Sequence, residues 1–152
     1  MSNKKKSVLL LGANGMLGKA VSRYAANQDE WEIVTVARSN ADICMDLTDD
    51  DALVRCFKQV RPHVVINTAA VVNINLCEGN IENAYRVNAR LCSFIANLCD
   101  IYGGYFVQIS TDHYYCGDGR KSIVKLIQFH FVMNMLELSI LENVYRNYTG
   151  IL

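Results

Sequence analysis

Ser7-Val8-Leu9-Leu10-Leu11-Gly12-Ala13-Asn14-Gly15-Met16-Leu17-Gly18 is the stretch on which the fold turns. SVLLL is a short continuous apolar run, the pattern of a strand buried on both faces. A glycine turn follows, and then a helical stretch from about Gly15 to Ala26 with apolar Met16, Leu17, Ala20, Val21 and Tyr24. Glycines between a strand and a helix have separate tasks. Gly12 permits the tight turn, Gly15 lets backbone approach a pyrophosphate, and Gly18 lets the helix pack close on the strand. The free N–H groups of the helix start, with its dipole, favour phosphate charge. A glycine-rich turn with a structural role alone is the competing reading.

Beyond that stretch, Glu32–Ala37, His63–Asn67 and Tyr105–Ser110 read as further strands. Asp49–Val60 and Glu82–Asp100 have helical spacing, the second as one long amphipathic helix. Strands alternating with helices of this length predict an α/β fold: a Rossmann-type three-layer sandwich with a parallel sheet, incomplete on its C-terminal side. After about Lys121 the character changes. Ile123–Leu141 is apolar, without glycine or proline, and matches nothing before it. The organisation expected is a partial NAD(P)-binding domain over 1–121 and an aberrant apolar tail over 122–152, helical or poorly ordered.

Composition narrows the classes. With 51% apolar and 20% charged residues the chain is ordinary for a globular protein. Fifteen basic and fifteen acidic residues cancel, so neither a nucleic-acid nor a membrane partner is expected. Lys4-Lys5-Lys6 reads as a solvated start to the first strand. No apolar run is long enough to span a bilayer, and no secretory pattern opens the chain. The six cysteines (Cys44, Cys56, Cys77, Cys92, Cys99, Cys116) form no C-x-x-C pair and no metal-ligand spacing with the three histidines. They are expected to be reduced, mostly buried thiols in a cytoplasmic protein that holds no metal.

At the end of the second strand stands Ala37-Arg38-Ser39, where an NAD site usually carries an acidic residue. A guanidinium there would neutralise a 2′-phosphate and select NADP over NAD; a plain surface arginine is the alternative. Asp46 and Leu47 follow the next short strand, at the adenine edge, although helix capping around Asp49 also suits this segment. Asn67-Thr68-Ala69-Ala70 closes the third long strand at the carboxyl edge, where ligands of open α/β sheets lie. Thr68, Ala69 and Ala70 leave room for the ribose and nicotinamide, or simply pack the sheet end. Together with Gly12, Asn14, Gly15, Met16, Leu17 and Gly18, these residues are the expected cofactor-binding set.

In order, G-A-N-G-M-L-G, D-L-T-D, R-P-H-V-V-I-N-T-A-A, R-V-N-A-R and Q-I-S-T-D-H-Y-Y resemble the dTDP-4-dehydrorhamnose reductase family over roughly residues 7–121. These are sugar-nucleotide reductases of the extended short-chain dehydrogenase/reductase type. The resemblance implies NADPH-dependent reduction of a 4-keto sugar nucleotide in deoxysugar (dTDP-rhamnose) synthesis. It assigns the catalytic hydroxyl to Ser110 or Thr111, acting with a Tyr-x-x-x-Lys pair one helix later. Asp112 also fits the pattern, whereas His113 stands where tyrosine is common.

No tyrosine in this chain lies four residues before a lysine. A permitted codon choice for Met133–Asn143, read in another frame, yields E-Y-A-R-T-K-Y-I-G-E, which contains the pair. The expectation is a frameshift near Ser122 and an impaired or inactive reductase; a genuine amphipathic helix in the tail is the competing origin. The alternative function is a non-catalytic NADP-binding regulatory subunit, resembling the methionine adenosyltransferase β subunit. Such a chain would associate through its open sheet edge or apolar tail.

Overall fold

Each of the four stretches read as strands in the sequence forms one. The computed structural model describes residues 5–27 and 29–109. The elements are β1 Lys6–Leu11, α1 Met16–Ala25, β2 Trp31–Ala37, β3 Ile43–Cys44, α2 Asp50–Val60, β4 Val64–Asn67, α3 Ile74–Gly79, α4 Ile81–Tyr85, a π-helical turn Arg86–Arg90, α5 Leu91–Tyr102 and β5 Tyr105–Gln108. All pairings are parallel, in the order β3-β2-β1-β4-β5. β1 is therefore central. It pairs from Lys6 with Trp31 to Leu11 with Val36 on one side, and from Val8 with Val64 to Leu11 with Asn67 on the other. Leu9, Leu10 and Leu11 are fully buried, as a strand covered on both faces requires.

Helix α2 packs through Leu53, Cys56 and Phe57, and α5 through Leu91, Ile95, Ala96, Leu98 and Cys99. Asp49 caps α2 by accepting from the Ala52 N–H at 3.0 Å. The helix ends at Arg61 in the left-handed region (φ 48°), just before Pro62. α5 ends on Gly103 at φ 78°, where glycine has no Cβ to clash.

The helix expected after the glycine turn forms as α1, with Met16 and Tyr24 largely exposed and Gly18 buried. Two features depart from the sequence reading. The segment before α5 holds an additional helix, α3, capped by Asn73, while Asn80 caps α4. The long helix expected over Glu82–Asp100 is interrupted by the π turn.

The thiols are less uniformly buried than expected. Cys56 and Cys99 are buried, Cys77 and Cys92 are half-buried, and Cys44 is exposed, all five being free. Burial pushes the Cys56 thiol up to about 11 and, with Asp100 nearby, that of Cys99 up to about 12. Because the thiolate is the nucleophile, iodoacetamide at mildly alkaline pH will label Cys44 in the native chain and spare Cys56 and Cys99 until denaturant is added. Peptide mapping by mass spectrometry reads this, and native labelling of Cys99 at the rate of Cys44 would contradict it.

Candidate functional site

The strand order reverses direction beside β1, with β2 on one side and β4 on the other, which opens a crevice at their carboxyl ends. The glycine turn sits in that crevice. Gly12 has φ +79°, and its N–H and that of Ala13 both donate to the Val36 carbonyl, at 3.0 and 3.1 Å. A Cβ on Gly12 would stand 2.7 Å from the Ala69 nitrogen and 2.9 Å from the Thr68 hydroxyl. On Gly18 it would stand 2.4 Å from the Gly12 carbonyl oxygen. A Cβ on Gly15 would meet only the Gly12 oxygen, at 3.3 Å. Protein packing thus demands glycine at 12 and 18, whereas Gly15, at the mouth of α1, is less crowded.

That helix start has the character of an anion site. Gly15 offers no side-chain cap, and no acidic residue stands in the first turn. The leading N–H groups have no protein acceptor from a cap, and the dipole points the right way. Met16 and Leu17, both exposed, stand at its first two positions. Lys19, Ser22 and Arg23 of α1 line a depression of about 420 Å³ beside the turn, together with Thr35 and Asn40. Sequence reading missed these cations; their spacing along one helix was the available signal.

The other expected residues gather round the same edge. Asn14 donates from its side-chain amide to the Ser39 carbonyl and so ties the glycine turn to the loop after β2. Arg38, in that loop, is exposed. It contributes, behind the stronger effect of Thr48, to holding the Asp46 carboxyl below its ordinary range. Asp46 Oδ1 accepts from the Thr48 N–H at 2.8 Å and from the Thr48 hydroxyl at 2.9 Å. Asp46 therefore closes a local turn, the capping of α2 falls to Asp49, and half-buried Leu47 lies between them.

On the β4 side, Thr68 donates its hydroxyl to the Leu11 carbonyl at 2.8 Å, with Gly12 oxygen at 3.1 Å. Asn67 is fully buried. Its amide donates to Gln108 Oε1 at 2.8 Å, and its Oδ1 accepts from the Ala69 N–H at 3.1 Å. That pairing satisfies a polar group which burial would otherwise penalise, and it fixes the direction in which Thr68, Ala69 and Ala70 leave the sheet. Ser110 and Thr111, and the tail over 122–152, lie outside the described residues. Among the described residues no cluster of three or more potential metal ligands occurs, and no helix is long and apolar enough to cross a membrane.

The arrangement has relatives. The model of the RmlD substrate binding domain family matches residues 6–125. A dTDP-4-dehydrorhamnose reductase from Aggregatibacter actinomycetemcomitans is 27% identical over 115 residues, covering 76% of this chain and 37% of that protein. Methionine adenosyltransferase 2 subunit beta from Danio rerio is 30% identical over 119 residues, covering 76% and 35%. The crystal structure of dTDP-4-dehydrorhamnose reductase from Bacillus anthracis in complex with NADP superimposes with a TM-score of 0.68 at 30% identity, covering 76% of this chain and 39% of the other. The chain thus spans well under half the length of each of these proteins.

Proposed function

The chain belongs to the family of the RmlD substrate binding domain, and from that premise we propose that it is the NADPH-binding part of a reductase of 4-keto sugar nucleotides. The observation that carries the proposal is the uncapped α1 start at the β1–β4 crevice, with a glycine at 15 that is far less crowded than those at 12 and 18. Gly12, Gly15 and the leading N–H groups of α1 would hold the pyrophosphate. Arg38 would face the 2′-phosphate, with Asp46 and Leu47 at the adenine. Thr68, Ala69 and Ala70 would line the ribose and nicotinamide. The cofactor supplies hydride. Ser110 or Thr111 would polarise the carbonyl that receives it.

Arg38 decides the form of the cofactor. A charged hydrogen bond from a partly exposed guanidinium contributes about 1–3 kcal/mol, roughly a five- to hundredfold preference for NADPH over NADH. Calorimetry on the full chain at low salt will give that preference. Arg38→Ala will remove most of it and leave NADH binding nearly unchanged. Equal binding of both cofactors by the unmutated chain would overturn the assignment of Arg38.

A second reading has the 30% identity to the methionine adenosyltransferase subunit in its favour. In it the chain binds NADP without turning it over and serves as a partner subunit, with self-association through the sheet edge or tail. A regulatory module would purify as a defined complex, while an impaired reductase would be heterogeneous on size exclusion.

A further inference from the structure

The π turn Arg86–Arg90 carries three contacts that the cofactor set above leaves unused. π turns inside α-helices are rare and concentrate where function needs a displaced side chain. On such a helix, residues four apart share a face and residues two apart do not. Arg86 and Arg90 accordingly reach one way and Asn88 the other.

Arg86 Nη2 donates to the Thr48 carbonyl at 3.2 Å. Arg90 clamps the Asp50 carboxylate with both terminal nitrogens, Nη1 to Oδ1 at 2.9 Å. Thr48 and Asp50 border the turn that Asp46 closes. On the opposite face, Asn88 Oδ1 accepts from the Val71 N–H at 2.8 Å, and its Nδ2 donates to the Val71 carbonyl at 2.9 Å. The side chain thus treats Val71 as a neighbouring strand would, pinning the segment that begins at Thr68. That segment is anchored at its other end by the Thr68 hydroxyl on the glycine turn.

We propose that this π turn couples the two halves of the dinucleotide crevice: Arg86 and Arg90 hold the adenine-side loop, Asn88 holds the nicotinamide-side loop, and order in one is passed to the other. The proposal rests on the dinucleotide reading of the site. The three side chains are positioning residues and touch no reacting atom.

Amide hydrogen exchange of Val71 in the full, ligand-free chain is the direct test, because Arg90 does not contact Val71. An exposed ion pair is modest, so Arg90→Ala will speed Val71 exchange by about two- to fivefold relative to the amide of Leu10 in the central strand, which reports global stability. Asp50→Asn, which breaks the same pair from the other side, will do the same and serves if the first variant fails to fold. Unchanged Val71 exchange in both variants overturns the coupling. With 2′,5′-ADP as an adenosine-side probe, exchange at Val71 will slow in the unmutated chain. In Asn88→Ala the slowing will vanish, while 2′,5′-ADP affinity stays within about twofold. Slowing that persists in Asn88→Ala also overturns it. Failure of the unmutated chain to bind 2′,5′-ADP would instead remove the dinucleotide reading, leaving the ligand-free comparison to decide the coupling.

Discussion

Gly18→Ala will destabilise the chain by about 2–3 kcal/mol, although alanine is the better helix former. The new Cβ would lie 2.4 Å from the Gly12 carbonyl oxygen, 2.7 Å from Ala13 Cα and 2.8 Å from the Ala13 carbonyl carbon. All three are backbone atoms of the turn, which is itself bonded to Val36, so none can swing aside as a side chain would. For a folded unit of this size the loss corresponds to a fall in Tm on the order of 10–20 °C. Gly15→Ala supplies the contrast. Its φ of −67° suits any residue, and its one close contact is at 3.3 Å. The melting temperature will therefore fall far less than for Gly18→Ala, by about 1 kcal/mol of stability or less, while NADPH affinity falls. Thermal melts with and without NADPH read both effects, and a Gly18→Ala chain that melts with the unmutated one would refute the packing argument.

Part of this is legible in the sequence. The roles of Gly12 and Gly18 follow from a strand-turn-helix context alone, because the physical demand is local: a turn with positive φ and a helix seated on its own strand. Continuous apolar strands such as Leu9-Leu10-Leu11 announced parallel pairing for the same reason. The two-face burial of a parallel sheet leaves no alternation to interpret.

Contacts between distant segments were not legible. Nothing in R-V-N-A-R announces that the helix widens there, or that Asn88 will find a backbone segment 17 residues away. Likewise Asp46 suits an adenine edge, yet its bond to Thr48 is a matter of turn geometry. Apolar periodicity marks α1 as a helix without showing what covers its face: Met16 and Tyr24 stay largely exposed. Asn73 and Asn80 were the readable signals that went unused, each preceding a helix start by one residue.

Mixed with NADPH and a 4-keto sugar nucleotide, the 152-residue chain will turn over at a rate about a hundred- to ten-thousandfold below that of a family member with a Tyr-x-x-x-Lys pair. Four-residue spacing on a helix puts such a tyrosine and lysine on one face, where the ammonium lowers the phenol's pKa and the phenol delivers its proton as hydride arrives. None of the eight tyrosines of this chain stands four residues before a lysine, so that proton has no such donor. Ser110 and Thr111, proposed to polarise the carbonyl, carry hydroxyls that are poor acids. Binding and turnover should therefore separate. Every residue assigned to the adenosine half, from Gly12 to Leu47, lies within the stretch over residues 6–125 that matches the family model, so calorimetry will return a finite NADPH affinity. The loss of NADPH absorbance will stay close to the rate without substrate. Brisk oxidation that depends on the sugar nucleotide would show that another group in this chain supplies the proton, and would overturn the reading of an impaired reductase.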